Sequence, residues 1–289
     1  IKAVKNIQRI TRTMQMIATS KFSRAQSAAL SSKPYTEGLF DLVRQLSSRS
    51  EGISHPLLAG GDEGHAGEPS ELTLVLTSER GLCGPYNANI VRTALRHIRE
   101  NEPAQRGPVE LVGKKGLAAM RFAKVEIAQY HTQFGDKPQY EDIEALAQAY
   151  IDRFEAGEVS AVRVIYMKYI SAGKQVPEIL PLLPFESGEL TETSEDKQDQ
   201  EGFNSSYEFS PSGAELLDTL LPAAVKAVLF QCFNDAIVSE HVARMVAMKA
   251  ATDNAGKMSK TLKRRFNRAR QAQITTELTE IVSGAQALG

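Results

Sequence analysis

Residues 212–288 read SGAELLDTLLPAAVKAVLFQCFNDAIVSEHVARMVAMKAATDNAGKMSKTLKRRFNRARQAQITTELTEIVSGAQAL. After Pro222 no further proline occurs, and Gly256 and Gly284 are the only interior glycines. Apolar residues return every three or four positions: Leu217, Leu221, Val225, Val228, Cys232 and Ala236, then Met258, Leu262, Phe266 and Ala269, and last Leu278, Ile281, Ala285 and Leu288. That spacing places a narrow apolar seam along one side of a helix. At about 1.5 Å per residue the helix would be roughly 100 Å long. A core of ordinary size cannot hide such a rod, because helices of globular domains average about 11–12 residues. The seam therefore calls for a partner helix, and part of the rod is expected to project into another protein.

A helix pattern at the opposite end of the chain supplies that partner. Over residues 1 to 50, Val4, Ile7, Ile10, Met14 and Ile17 set a stripe that Ala25, Ala28, Leu39, Leu42 and Leu46 extend. Pro34 cannot donate its backbone hydrogen bond, so a kink or break is expected near residues 32–34. Nine Lys or Arg against two acids make this segment basic. A solvated coiled-coil face and a surface for acidic partners both fit.

Between the helices the pattern changes. Residues 52–69, with five glycines, read as loop or linker, in which His55 and His65 are expected to be solvated. Leu72–Thr77, Val109–Gly113, Val125–Tyr130 and Val162–Tyr169 read as strands. Ile179–Phe185, broken by Pro181 and Pro184, reads as an edge strand. Asn87–Arg99, Leu117–Lys124 and Tyr140–Glu155 read as helices, the last with Ile143, Leu146, Ala147, Tyr150 and Ile151 facing inward. Strand–helix alternation with short connections predicts an α/β domain whose sheet is mostly parallel, Rossmann-like, with helices on its faces. Residues 186–204 are acidic and polar, and read as a mobile loop leading back to the long helix. The expected division is thus 1–52, a helix; 53–70, a linker; 71–186, the α/β base; 187–211, the acidic loop; and 212–289, the second helix.

Chemistry is harder to find. GLCGPYN after the first strand lacks the G-x-G-x-x-G spacing, and GKKG at 113–116 lacks the flanking residues of a phosphate loop. The five histidines form no metal-binding pair. Cys83 has no neighbouring histidine to activate it, and reads as a small residue packing a turn. Cys83 and Cys232 lie far apart, as expected of free buried thiols. No catalytic, cofactor-binding or metal-binding residue is expected, and the chain reads as an interaction protein. No run of about 18 apolar residues marks a membrane span. The chain opens at Ile1 inside a helical pattern, so a few residues are expected to precede it.

Between Asn254 and Thr276 stand seven Lys or Arg (Lys257, Lys260, Lys263, Arg264, Arg265, Arg268, Arg270) and no acid. A merely solvated helix face would mix in glutamates at four-residue spacing. A one-signed girdle below a weakly polar tip suits a shaft seated in an acidic socket. A coiled-coil protein that binds nucleic acid is the alternative, although few aromatics are interleaved for stacking.

Three blocks carry a resemblance: NIQRITRTMQMIATSKFSRAQ at 6–26, LTSERGLCGPYNANI at 76–90, and ARMVAMKAATDNAGKM with RARQAQITTELTEIVSGAQAL within 243–288. In order and spacing they resemble the γ subunit of F-type ATP synthases, of the bacterial type, across essentially the whole chain. The resemblance implies an antiparallel, left-handed coiled coil of the terminal helices above the α/β base. It also implies a non-catalytic rotor shaft on the cytoplasmic face of the cell inner membrane. Its partners would be the α and β subunits, the ε subunit and the membrane ring of c subunits, with no nucleic acid and no cofactor. By motif, Met14 and Lys21 would lie at the bearing against β, and Arg244, Arg270, Gln271, Thr275 and Glu277 at positions that contact β or affect coupling. Pro85 stands where the family usually has a glycine, and no regulatory dithiol insert is present, so no thiol switch of that kind is expected.

Overall fold

The computed structural model describes residues 1–49, 55–58, 68–135, 138–185 and 213–288. His65 and the acidic segment 186–212 lie outside these residues. Two long helices, α1 (Lys2–Arg49) and α6 (Gly213–Leu288), enclose a sheet of five strands in sequence. Between them come β1 (Glu71–Leu76), α2 (Tyr86–Glu100), α3 (Glu102–Arg106), β2 (Val109–Val112), α4 (Lys114–Phe122), β3 (Gln129–His131), α5 (Tyr140–Glu155), β4 (Ala161–Ser171) and β5 (Lys174–Leu183).

The sheet runs in the order β3-β2-β1-β4-β5. The first four strands are parallel, and β5 returns antiparallel to β4 at the edge. A central parallel strand is covered on both faces, and all six residues of β1 are buried. Alternate residues sort to opposite faces. Leu72, Leu74 and Leu76 join Val162, Val164 and Tyr166 in a core shared with α1, α5 and the lower part of α6. Val75, Ile165 and Met167 face the other way, toward Ile90, Val91 and Ala94 of α2 and Met120 of α4. β5 begins earlier than the apolar run suggested, because its first half, Lys174 to Glu178, is polar and interrupted by Pro177. Having a neighbour on one side only, it tolerates Pro177 and Pro181.

The strands carry two buried carboxylates. Glu110 of β2 accepts from Tyr150 at 2.7 Å and from Arg153 at 3.0 Å, and lies 2.7 Å from His131 Nε2. Burial raises its pKa. The bonds from His131 and Tyr150 and the charges of His131 and Arg153 outweigh that effect, so the carboxyl sits below its ordinary range. Glu71 of β1 is held by His97 at 2.5 Å and Arg163 at 3.5 Å.

Four expectations need correction. α1 runs unbroken through Pro34. Pro34 and Leu30, whose carbonyl loses its partner there, are both on the solvent side, so water can satisfy the free group. His55 is buried rather than solvated. Its Nε2 lies 3.3 Å from Asp218 of α6 and its Nδ1 accepts from the Leu57 amide at 3.1 Å, while Leu57 enters the core. One stretch of α6 is long and apolar enough to cross a membrane by length and composition alone; half of it is buried inside the chain, as in a core helix. The fourth concerns the stripe on α1.

The shielded residues on this side of α1 include Val4, Gln8, Thr11, Gln15, Ala18, Phe22, Ala25 and Ala29, then Thr36, Leu39 and Val43, spaced by threes and fours within each run as in a heptad seam. Ile7, Ile10 and Ile17 are instead more than half exposed, and Met14 is half-buried at the seam's flank. Small and polar side chains form the upper seam because they let two helices approach closely. Thr252 bonds Thr11 at 2.8 Å, and a Cβ on Gly256 would stand 2.9 Å from the Gln8 amide nitrogen. Rising numbers on α1 meet falling numbers on α6, so the coil is antiparallel. Its lower half merges with the main core, where Leu39 and Val43 join Leu217, Leu221, Val225 and Val228.

Candidate functional site: the shaft and its seat

α6 leaves the sheet by a series of ties. Lys226 pairs with Glu144 at 3.2 Å, and Phe230 and Phe233 stack against Tyr140 and Phe134 at 5.3 and 4.8 Å between ring centres. Higher up, Tyr86 donates to the Ala236 carbonyl at 3.0 Å and Ser239 to the Met167 carbonyl at 3.1 Å. Burial pushes the Tyr86 hydroxyl well above its ordinary pKa, with Glu240 adding to the effect, so it remains a donor.

These contacts fill a particular place. In doubly wound sheets the crevice for ligands lies beyond the carboxyl ends of the strands, where strand order reverses. Here the chain moves outward from β1 to β2 on one side and to β4 on the other. The space past β1 and β2 is occupied by Phe233, Ala236, Ile237, Glu240 and His241 of α6, leaving a cavity of only about 40 Å³.

Arg244 is the highest polar tie to the base. Its guanidinium donates to the carbonyls of Arg80 at 3.0 Å and Gly81 at 3.3 Å, to Glu240 at 2.5 Å, and lies 3.4 Å from His241 Nδ1. The turn it grips is tightly built. Leu82 and Gly84 adopt positive φ of 66° and 59°. Ser78 donates to the Arg80 carbonyl at 2.8 Å, and Asn87 donates to Cys83 Sγ at 3.2 Å. Cys83 is buried as a packing residue, and Leu82 projects from the tip with more than half its surface exposed.

On the α1 side, Phe22 stacks on Tyr169 at 6.2 Å, and Gln26 donates to the Tyr169 hydroxyl at 3.2 Å. Nearby, Asp235 is enclosed by Gln231, Lys168, Glu178 and Lys33. Burial lifts its carboxyl to a pKa of about 6 against the bond from Gln231 and the charge of Lys168. Neither Tyr169 nor Asp235 carries a sequence signal that sets it apart; each gains its role from where the fold brings it.

Above this level α6 is covered only along its seam with α1, at Met248, Thr252 and Ala255, and is otherwise largely exposed. Lys257, Lys260, Lys263, Arg264, Arg265, Arg268 and Arg270 all face solvent. At about 100° per residue they spread around much of the circumference, with Lys263 and Arg270 on the side of Thr252 and the other five turned away from it. Met258, Phe266, Ile274, Leu278, Ile281 and Val282 are each about half exposed or more. The same angular step brings Arg270, Gln271, Thr275 and Glu277 around Ile274, Leu278, Ile281 and Val282, on one face less than about half the helix wide. Thr275 returns its hydroxyl to the Gln271 carbonyl at 2.9 Å, and Gln273 donates to Glu277 at 3.0 Å. The seven residues named from sequence thus fall into three places. Met14 and Lys21 flank the coil's seam, Arg244 sits at the base, and the other four surround the apolar face near the tip.

The family model described as ATP synthase matches residues 1–288. The ATP synthase gamma chain of Rhodopirellula baltica is 41% identical over 289 residues, covering 99% of this chain and 96% of that protein. That of Desulfitobacterium hafniense is 37% identical, covering 100% and 96%. Among solved structures, the fold is similar to a chain of the Tetrahymena thermophila mitochondrial ATP synthase central stalk and c-ring, with TM-score 0.59 and 19% identity over 84% of this chain and 99% of that one. A chain of the Euglena gracilis mitochondrial ATP synthase gives TM-score 0.54 and 19% identity over 95% and 94%. An α/β base with a plugged crevice, carrying a long coiled coil whose upper half its own chain leaves uncovered, is the architecture of a stalk, and the chain belongs to the family of ATP synthase gamma chains.

Proposed function

We propose that this chain is the central rotor shaft of a bacterial F-type ATP synthase, transmitting rotation between a membrane ring of c subunits and the catalytic β subunits. The observation that carries this reading is the uncovered surface of upper α6. Among the described residues, its basic girdle and the apolar face around Ile274, Leu278 and Ile281 are exposed. A monomer seldom leaves a contiguous apolar patch open without a partner for it.

The shaft works without chemistry of its own. Its cross-section differs from side to side: Ile7, Ile10 and Ile17 on α1, and the arginine and lysine girdle on α6. A β subunit meeting each side has a different contact energy, and such differences bias its conformational equilibrium as the shaft turns. Met14, Lys21, Arg244, Arg270, Gln271, Thr275 and Glu277 are the residues assigned to contact or coupling. The α/β base, residues 71–186, together with an ε subunit, would rest on the c ring, peripheral to the cytoplasmic face of the inner membrane.

Co-expression with α and β subunits tests this. The expected outcome is a stable complex with ATPase activity that the hexamer alone does not sustain; failure to assemble sinks the reading. The nucleic-acid alternative predicts tight duplex binding by the chain alone with a steep salt slope.

A further inference from the structure

Of the ties that hold the shaft to the base, the uppermost among the described residues lie at similar height, one on each helix. On α6, Arg244 spans to two carbonyls of the turn after β1 and is braced by Glu240. On α1, Phe22 and Gln26 engage Tyr169 near the end of β4. The register that pairs Thr11 with Thr252 places Phe22 and Gln26 beside α6 at about residues 237–241, one turn below Arg244. Beyond Ala247, the hydrogen bonds of described α6 side chains go only to α1 or to α6 itself.

We propose that these two ties form a torsional collar, and that Arg244 is a positioning residue through which the base grips the shaft when it turns. The proposal rests on the rotor reading. The lower coil is embedded in the core, and at the exit a single tie would resist bending of the free upper rod, whereas two off-axis ties, one on each helix, also resist its twist. The collar is rigid for chemical reasons. A guanidinium is a planar fork of fixed donors, and here it bridges backbone carbonyls rather than flexible side chains. Its charge is balanced by Glu240 one turn below, and both side chains are largely shielded from water. Bonds of a charged donor are about twice as strong as neutral ones. The gripped turn cannot easily give way, since Thr77 and Ser78 are anchored to the carbonyl end of β2 and to Asn87.

This differs from a role in touching β. The guanidinium is directed into its own chain, and Tyr169 holds Phe22 and Gln26 of the same chain. Gly84 and Ala247 provide a discriminating tool. A Cβ at 84 would lie 3.7 Å from that of Ala247, within the roughly 3.5–4.5 Å spanned by a disulfide. The positive φ at Gly84 strains a cysteine there, but the cross-link needs only to form.

The experiment uses the assembled α, β and γ complex, fixed by its hexamer and locked with a non-hydrolysable ATP analogue, with a reporter bead on the base. Thermal angular fluctuation of the bead reads torsional stiffness. Because Tyr86, Ser239 and the buried lower coil also hold α6, Arg244→Gln should raise the angular variance by less than about twofold. Tyr169→Phe should raise it by a smaller factor, and the double variant by more than either. In a Cys83→Ala background, oxidising Gly84→Cys/Ala247→Cys should return Arg244→Gln to the parent variance, and reduction should undo this. A lowered ATPase rate with unchanged variance and no rescue by the cross-link would place Arg244 at the β contact and overturn the collar. Unchanged variance in both single variants would overturn it too. Failure of the parent chain to assemble would instead remove the rotor reading on which the collar rests.

Discussion

Thr252 of α6 donates to Thr11 of α1 across 2.8 Å, in a seam where a coiled coil of ordinary type would place leucine or isoleucine. Both residues are half-buried. A close seam of this kind is specified by size rather than by apolarity. Thr252→Val, nearly isosteric, should cost the isolated chain about 1 kcal/mol, the value of one net hydrogen bond. Thr252→Leu should cost more, about 1–3 kcal/mol, by forcing the helices apart. Urea unfolding followed by circular dichroism would rank them, and the reverse order would show that the seam has room to spare.

Two glycines separate tolerance from necessity. At Gly256 an added Cβ meets only the tip of the Gln8 side chain, which can swing aside. The helix-propensity gain of about 0.8–1 kcal/mol should then leave Gly256→Ala neutral or slightly stabilising. At Gly107 the same atom would stand 1.8 Å from the Glu71 carbonyl oxygen, where β1 backbone must move. Gly107→Ala should fail to give soluble chain, or melt many degrees lower.

Asp235 makes stability depend on pH in an unusual direction for a carboxylate. Its folded pKa is lifted to about 6 from 3.8, so the native state holds its proton over a range in which the unfolded chain has lost it. Stability is therefore expected to decline as pH rises from about 4 to about 6, and to stay lower above that. Asp235→Asn keeps an acceptor for Gln231, which donates at 3.0 Å, and removes the charge. At about 1.4 kcal/mol per pKa unit, the variant should gain about 1–3 kcal/mol at pH 8 and almost nothing at pH 4. Equal gains at both pH values would contradict this.

Glu110 works in the opposite sense. Its pKa is lowered on folding, so its contribution is present above the ordinary value of 4.5 and is lost as pH falls through the folded value. Glu110→Gln should cost about 2–3 kcal/mol at pH 7, because Arg153 and Tyr150 lose an ionised acceptor. The deficit should shrink on acidification, which thermal melts between pH 3 and 7 would follow.

The girdle should matter only in the complex. Exchanging Lys260, Lys263, Arg264 and Arg265 for glutamine should leave the melting temperature of the isolated chain within a degree or two, since all four are exposed. The salt dependence of association with the α and β subunits should become shallower. An unchanged salt dependence would assign the docking to the apolar face instead.

Much of this architecture was legible from residue patterns. The inward face of α5 was readable because Ile143, Leu146, Ala147, Tyr150 and Ile151 repeat at helical spacing, and all five are buried. The edge character of β5 was readable because Pro181 interrupts an apolar run. The seam of α1 departs from the hydrophobic pattern for a physical reason. Hydrophobicity points to Ile7, Ile10 and Ile17, but the helices meet through Thr11, Ala18 and Gly256, whose merit is smallness, and the isoleucines are left for another surface. The glycines around His55 point to solvent, whereas Leu57 draws its segment into the core. The grip of Arg244 could not be read at all. Its acceptors are backbone carbonyls more than 160 residues away in sequence, and carbonyls carry no residue-type signature.

The filled crevice at the carboxyl ends of β1 and β2 limits how such a protein can be governed. A metabolite seeking the usual berth of this sheet would first have to dislodge Phe233, Ala236 and Ile237, and with them the seating of the whole rod. Ejecting a helix so deeply embedded would unfold the base rather than adjust it. The fold has exchanged a receptor for a mortise, and a small ligand finds no berth at this crevice.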